Sequence, residues 1–115
     1  MGLGMDFPAI LAELYGEDAV EEQFDRYSGL DRGFTGHFGH GPEYRFSTPG
    51  RSELGGNHTD HNHGRVLAAS VDLDTVAAAA PADEPVVRMV SEGYEGEFIV
   101  DLTDLDPKPG EEGNT

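Results

Sequence analysis

The stretch from residue 49 to residue 71 organises the rest of the chain, and it reads Pro49-Gly50-Arg51-Ser52-Glu53-Leu54-Gly55-Gly56-Asn57-His58-Thr59-Asp60-His61-Asn62-His63-Gly64-Arg65-Val66-Leu67-Ala68-Ala69-Ser70-Val71. Its first part is polar and rich in glycine, and its last part is an apolar run broken by one serine. A polar loop that leads directly into a strand is a common place for a site, because the strand holds the loop in position. Three of the five histidines of the chain also fall here. We therefore expect the functional residues in this stretch.

Length, cysteine content and charge limit the classes of protein to consider. The 115 residues allow one domain of ordinary size, and the absence of cysteine excludes a disulfide scaffold and a thiolate zinc site. The net charge of −16 is uneven: residues 1–43 hold nine acids and two bases, residues 83–115 hold ten and two, and residues 44–82 hold four and three. Because nucleic acids and anionic membranes are bound through Lys and Arg, we expect neither as a partner. The sequence shows no signal peptide and no long apolar run, which predicts a soluble, cytoplasmic protein.

Two amphipathic helices are predicted in residues 1–43. The first follows Asp6, ends at Gly16 and carries an apolar face of Phe7, Ile10, Leu11, Leu14 and Tyr15. The second begins at Glu17 and Asp18, whose charges suit a helix N-terminus, and carries a stripe that includes Val20, Phe24, Tyr27, Phe34 and Phe38. Interior glycines cost about 1 kcal/mol each relative to alanine. The second helix is therefore predicted to fray past about residue 32, and residues 33–43 to form a mobile loop.

Strands are predicted in residues 44–105. Residues 44–48 alternate in polarity, and two apolar runs, 66–71 and 75–80, flank a predicted turn at residues 72–74. Residues 86–90 and 97–102 alternate around a glycine-rich turn and predict a hairpin. Residues 106–115 are polar and rich in helix and strand breakers, and predict a flexible tail. The expected class is α+β, with N-terminal helices followed by a small mixed β-sheet.

The residues of the central loop permit several kinds of chemistry. His58, Asp60, His61 and His63 are possible metal ligands, but their spacing fits no known metal motif, and we predict no metal site. A serine nucleophile at Ser52 would need the second glycine of a nucleophile elbow, which is missing. The glycines of residues 33–41 could form a phosphate loop, but no strand precedes them and the Lys-Ser/Thr pair is absent. A polar loop without any ligand is the remaining alternative.

A specific resemblance separates these alternatives. The pattern Pro49-Gly50-Arg51-x-x-Leu54-x-Gly56-x-His58-Thr59-Asp60-x-Asn62-x-Gly64-x-Val66-Leu67 resembles the first signature motif of galactokinases, whose usual form is P-G-R-x-N-L-I-G-E-H-T-D-Y-N-x-G-x-V-L. Galactokinases form a superfamily with homoserine, mevalonate and phosphomevalonate kinases. The resemblance implies a sugar-binding loop at residues 49–64 and the N-terminal half of a domain like the second domain of ribosomal protein S5.

The resemblance also implies roles for individual residues. Arg51 matches the arginine beside the reacting hydroxyl and is the predicted catalytic residue, which would stabilise charge that develops during attack on the γ-phosphate of ATP. The predicted substrate-binding residues are Glu53, Asn57, His58, Thr59, Asp60 and His61. The predicted partner is galactose, and the predicted cofactors are ATP and Mg in the full-length protein. These 115 residues contain neither the glycine- and serine-rich ATP loop nor the expected aspartate base. We therefore expect the N-terminal portion of a galactokinase-like protein, inactive alone; the alternative is a sugar-binding regulatory module without phosphotransfer.

The motif departs from its usual form in a reciprocal way. The family's asparagine is Glu53 here, the family's glutamate is Asn57, and the tyrosine after Asp60 is His61. An exchange of acid and amide between two positions suggests that they are in contact. We expect Glu53 to lie within hydrogen-bond reach of Asn57, or of the sugar hydroxyl that Asn57 approaches.

Overall fold

The computed structural model describes residues 6–56 and 63–110 of the chain. Its elements, in order, are α1 (Phe7–Tyr15), a 3-10 helix (Glu17–Ala19), α2 (Val20–Phe38), β1 (Tyr44–Gly55), β2 (Leu67–Ala79), β3 (Val86–Met89) and β4 (Phe98–Asp101). The chain divides between Ala80 and Pro81 into two compact units. Helices followed by strands confirm the α+β class. Both described sheets are antiparallel pairs, β1 with β2 and β3 with β4, where a mixed sheet was expected.

The core of the first unit lies where α1 packs against α2. Leu11 is fully buried and Tyr27 nearly so. The ring of Phe7 meets the rings of Phe24 and Tyr27 edge-on, with centroids 6.3 and 5.3 Å apart. Edge-to-face contacts of this kind add to the stability gained from burial alone. The predicted apolar faces of the two helices therefore form the contact between them.

Helix α2 is longer than predicted. It continues to Phe38, so the expected fraying past residue 32 and the loop at residues 33–43 are wrong. Phe34 and Phe38, one turn apart, pack with ring centroids 4.7 Å apart. Gly39 then ends the helix in the left-handed conformation (φ 79°), and its N–H donates to the carbonyl of Thr35. An aromatic pair and a proper C-cap thus offset the cost of the interior glycines.

Strands β1 and β2 form one long ribbon with two irregularities. Tyr44 pairs with Ala79 and Pro49 with Asp74, after which the register shifts so that Arg51 pairs with Ser70. A single β1 residue, Gly50, there opposes residues 71–73 of β2. The predicted turn at residues 72–74 is therefore wrong, because β2 absorbs the extra residues as a bulge and continues as a strand. Strand β1 likewise extends through residues 49–55, which were predicted to belong to the loop.

The helices pack on the polar side of β1. Arg45 and Ser47 bond to side chains of the helices, whereas Tyr44 and Phe46 are more than half exposed on the other side of the strand. The predicted alternation of residues 44–48 is present. Its polar members face the helices, where hydrogen bonds and an ion pair satisfy them.

The second unit contains the predicted hairpin. Strands β3 and β4 pair from Val86 opposite Asp101 to Met89 opposite Phe98. Gly93 and Gly96, in the connection between them, both have positive φ, which suits a tight turn. Within residues 6–56 and 63–110, no helix combines the length and the apolar content that a membrane crossing requires.

Candidate functional site

Two of the predicted site residues lie on the part of β1 beyond the bulge. Arg51 pairs with Ser70 and Glu53 pairs with Ala68, and both side chains are exposed. Arg51 has a permanent charge, since the guanidinium does not lose its proton in proteins. The structure therefore presents a cation and an acid, two residues apart, on a strand that leads into the polar loop.

The two ends of that loop approach each other at Gly56. Gly55 and Leu67 are the last paired residues of β1 and β2, and Gly56 follows with φ of 88°. A Cβ atom at position 56 would lie 2.2 Å from the carbonyl oxygen of Arg65 and 2.8 Å from the Cα of Val66. Both atoms belong to the backbone and have little freedom to move. Only glycine fits here, which gives a physical reason for one glycine of the motif.

The remaining predicted site residues lie between these ends. Asn57, His58, Thr59, Asp60 and His61 fall outside the described residues, so the expected contact of Glu53 with Asn57 stays a prediction. His63, where the description resumes, has φ of 57°. Few residues other than glycine adopt this left-handed conformation, and it is typical of a tight change of direction. The loop that carries the motif therefore begins and ends at positive-φ positions.

A polar cluster that the sequence analysis missed lies on the helix side of the bulge. The carboxylate of Asp74 on β2 accepts hydrogen bonds from Tyr15 on α1, Ser47 on β1 (2.5 Å) and Arg26 on α2 (2.7 Å). Arg26 also donates to the backbone carbonyl of Asp74 at 3.0 Å. The hydroxyls of Tyr15 and Tyr27 are 2.9 Å apart. We call Tyr15, Arg26, Ser47 and Asp74 the Asp74 cluster; it joins α1, α2, β1 and β2.

The pKa shifts in the Asp74 cluster favour a charged Asp74 carboxylate that accepts hydrogen bonds from protonated partners. Burial by itself would raise the pKa of Asp74, whose side chain is only 11% exposed, but the hydrogen bonds from Ser47, Tyr15 and Arg26 outweigh it and lower the pKa to about 2. Burial and the bond to Asp74 raise the pKa of Tyr15, so its phenol stays protonated and donates. The bond to Asp74 likewise raises the pKa of Arg26, against its desolvation.

A second ion pair ties α2 to β1 farther from the bulge. Asp31 accepts from Nε of Arg45 at 2.9 Å and from its Nη2 at 2.6 Å, with both side chains largely buried. This two-point geometry is the strong form of an arginine–carboxylate contact. Arg45 pairs with Ala78, well before the register shift. The ion pair therefore holds the start of β1 and leaves the bulge to the Asp74 cluster.

An open groove of about 380 Å³ lies at the bulge itself, and it is lined by Thr48, Pro49, Gly50, Val71, Leu73, Asp74 and Thr75. A Cβ atom at Gly50 would lie 3.1 Å from Cγ2 of Val71, so the two strands approach closely there. The carboxylate oxygens of Asp74 are already occupied by Tyr15, Ser47 and Arg26. The groove therefore marks the irregular junction of the strands, and the Asp74 carboxylate beside it already accepts three hydrogen bonds.

Metal chemistry finds no support in the described parts of the chain. There, histidine and acidic side chains do not gather in groups of three or more that could hold an ion. His58, Asp60 and His61, which the metal alternative requires, lie outside the described residues. The phosphate-loop alternative is wrong, because Gly33 and Gly36 lie inside α2 and Gly39 caps it.

Comparison with known proteins identifies the motif. Residues 32–81 match the family model of the galactokinase galactose-binding signature. This match spans the end of α2, both strands of the ribbon and the loop between them, so the first unit carries a sugar-binding signature of sugar kinases.

Similarity to a curated protein narrows the class of protein further. Over 74 residues, 64% of this chain, the sequence is 38% identical to a galactokinase of Streptococcus mutans serotype c. The chain spans 19% of the length of that relative. The predicted resemblance to galactokinases is thereby confirmed. No solved structure matches the chain, and the domain type of ribosomal protein S5 stays a prediction.

Proposed function

We propose that this chain is the galactose-binding part of a galactokinase, an enzyme that transfers the γ-phosphate of ATP to the anomeric hydroxyl of galactose. The observation that carries the proposal is the galactose-binding signature over residues 32–81. Inside it, the motif from Pro49 to Leu67 occupies the loop and the ends of the two strands that hold it.

Recognition of the sugar belongs to the loop. Carboxylate, amide and imidazole groups bind vicinal hydroxyls through directional hydrogen bonds. We assign Asp60 to a pair of hydroxyls and His58 to one more, with Asn57 and Thr59 beside them and Glu53 and His61 as the residues that depart from the family pattern. The nearly neutral charge of residues 44–82 suits a site where an anionic phosphate donor must approach.

Catalysis on this side of the site belongs to Arg51. Its permanent charge and its exposed position on β1 suit a group that stabilises negative charge as the anomeric oxygen attacks. Phosphoryl transfer depends almost wholly on positioning and electrostatic stabilisation. An arginine at the end of a well-held strand meets both requirements.

We place the binding of ATP and Mg outside this chain. The glycine-rich segment of residues 33–41 is the end of a helix and its cap, and it offers no loop before a helix N-terminus. Other parts of a galactokinase would bind the nucleotide and the metal, so this chain alone should bind the sugar without transferring phosphate.

The direct test is a titration of the chain with D-galactose, monitored by amide chemical shifts. Saturable shifts in residues 51–66, with a dissociation constant on the order of 1 mM, are expected, and Asp60→Ala should abolish them. Asp104→Ala, in the second unit beyond β4, is the matched control and should leave them unchanged. The proposal fails if the folded chain shows no saturable shifts, or if Asp60→Ala responds like the original chain.

The reciprocal exchange of acid and amide provides a separate test of the loop. Glu53→Asn and Asn57→Glu should each weaken galactose binding, the second because two carboxylates would then be close together. The double exchange should restore much of the affinity, with a coupling of about 0.5 to 3 kcal/mol. Strictly additive effects in this cycle would show that the exchange is accidental and that Asn57 acts alone.

A further inference from the structure

Strand β1 carries Ser47 of the Asp74 cluster and, four residues later, Arg51. Because alternate residues of a strand point to the same side, Ser47 and Pro49 share one side of the strand before the register shift. Ser47 bonds to Asp74, Pro49 pairs with Asp74 across the ribbon, and Arg51 is the first paired residue of β1 after the shift. At about 3.4 Å per residue, the Cα of Arg51 lies about 7 Å from the Cα of Pro49.

The register shift between Pro49 and Arg51 makes this point critical. One residue of β1 there opposes three of β2, so the regular ladder does not define the direction in which the strand continues. Pro49 also lacks the N–H that a ladder hydrogen bond would use. The direction of β1 at Gly50 must be set by groups other than the ladder, and Asp74 pairs with the preceding residue, Pro49.

Three donors from three different elements converge on the carboxylate of Asp74. Tyr15 comes from α1, Arg26 from α2 and Ser47 from β1, and Asp74 itself belongs to β2. Arg26 holds the backbone carbonyl of Asp74 as well as its side chain. The Asp74 carboxylate therefore ties the pair of Pro49 and Asp74, the last pair before the register shift, to both helices.

We propose that Asp74 is a positioning residue for Arg51: with Tyr15, Arg26 and Ser47 it fixes the strand at the bulge and so holds the backbone from which the Arg51 side chain extends. This inference rests on the proposed function for the role of Arg51. It adds a residue that does not touch the substrate, lies outside the motif and acts through the backbone of residues 49–51.

The ion pair of Arg45 and Asp31 offers a matched control. It also joins α2 to the ribbon, the Asp31 carboxylate is 17% exposed against 11% for Asp74, and an aspartate-to-asparagine change removes the same charge from it. It differs in position, because Arg45 pairs with Ala78, before the register shift. A merely structural role for Asp74 predicts the same result from the two substitutions.

The test measures backbone and side-chain order in the whole 115-residue chain by ¹⁵N relaxation. In the original chain, the amides of Gly50, Arg51 and Ser52 should have order parameters near the rigid value of about 0.85. Asp74→Asn should lower these, and that of the Arg51 Nε–H, to below about 0.6. Asp31→Asn should leave them unchanged. Ser47→Ala, which removes one donor, should give a smaller loss and serves if Asp74→Asn does not fold.

The kinetic counterpart uses a galactokinase that contains this chain. There, Asp74→Asn should lower kcat about tenfold with KM for galactose nearly unchanged, and Asp31→Asn should change neither. Equal order parameters in the original chain and both cluster variants would overturn the inference, as would equal loosening by Asp31→Asn. These readouts are independent of the galactose titration, so failure of the proposed function would be recognised separately by the absence of sugar-induced shifts.

Discussion

The two halves of the β1–β2 ribbon differ in how they are held. The first half, residues 44–49 paired with 74–79, bonds to both helices through the Asp74 cluster and the Arg45–Asp31 ion pair. The second half, residues 51–55 paired with 67–70, is exposed throughout, with Leu67 at 63%. The same two strands therefore provide a scaffold in one half and the candidate site in the other.

The separation of the helix-bound half from the exposed half has a physical reason. Binding and catalytic groups must reach solvent and substrate, yet they must be held within a fraction of an ångström to act. A strand that is tied to helices at one end and free at the other meets both needs. Substitutions in the second half should therefore act directly on binding or turnover, whereas substitutions at the Asp74 cluster in the first half should change stability and, through the position of Arg51, turnover.

The largest expected effect comes from Arg51 in the second half. In a galactokinase that contains this chain, Arg51→Ala should lower kcat by on the order of 10² or more, because the charge is used in the transition state. The affinity for galactose should change little, and so should the melting temperature, since the side chain is exposed. Steady-state kinetics combined with a binding titration separate these quantities. An unchanged kcat would remove Arg51 from the catalytic residues.

Gly56, at the base of the loop, should give the next largest effect. Gly56→Ala places a Cβ 2.2 Å from the carbonyl oxygen of Arg65 at a φ of 88°. Relieving this clash moves the loop ends apart, and galactose binding should weaken about 30-fold, or about 2 kcal/mol. Gly55→Ala is the control, because a Cβ there meets nothing within 4 Å. Equal affinities of the two variants would show that the geometry at Gly56 does not hold the site.

In the first half, the Asp74 cluster should make stability depend on pH. The pKa of Asp74 is about 2 in the folded protein, below its ordinary value of 3.8, so the unfolded chain takes up the proton first as the pH falls. Its contribution is fully present above about pH 5 and is lost progressively as the pH falls from about 5 toward about 1. On the order of 1 to 2 kcal/mol is expected.

The measurement is urea unfolding of the original chain and of Asp74→Asn between pH 6 and pH 2. The stability difference between them should stay constant above about pH 5 and shrink as the pH falls from about 5 to 2. Asp104→Asn, with an exposed carboxylate in the second unit, controls for general acid effects. A difference that stays constant down to pH 2 would contradict the role of the Asp74 charge. Galactose binding at pH 6 is expected to be similar in both proteins.

The sequence predicted the parts of the molecule that depend on local pattern. The α1 helix with its end at Gly16 and the hairpin of β3 and β4 follow from spacing and from turn residues, and the motif at residues 49–67 was identified by its resemblance to a known signature. It did not predict the Asp74 cluster, whose partners are separated by 27 to 59 residues along the chain. Asp74 looked like a turn residue because aspartate favours turns when its carboxylate is not satisfied by distant donors.

The end of α2 was likewise not predicted by local sequence pattern. It leads to the prediction with the smallest expected effect. The glycines at 33 and 36 predicted fraying, yet the helix continues to Phe38 because Phe34 and Phe38 pack together and Gly39 caps the end. Each of these two glycines still lowers the stability of the helix relative to alanine, so a substitution by alanine can raise it. A Cβ at either position meets nothing within 4 Å.

Gly33→Ala and Gly36→Ala should therefore each raise the free energy of unfolding by about 0.5 to 1 kcal/mol, because alanine loses less backbone entropy on folding. Gly39→Ala should lower it by about 1 kcal/mol, since φ there is 79°. Urea unfolding of the three single variants measures these differences, and all three should bind galactose as the original chain does. If Gly33→Ala and Gly36→Ala leave stability unchanged, the last turn of α2 is frayed in solution. In that case the helix supports the first half of the ribbon only as far as Asp31, where it meets Arg45.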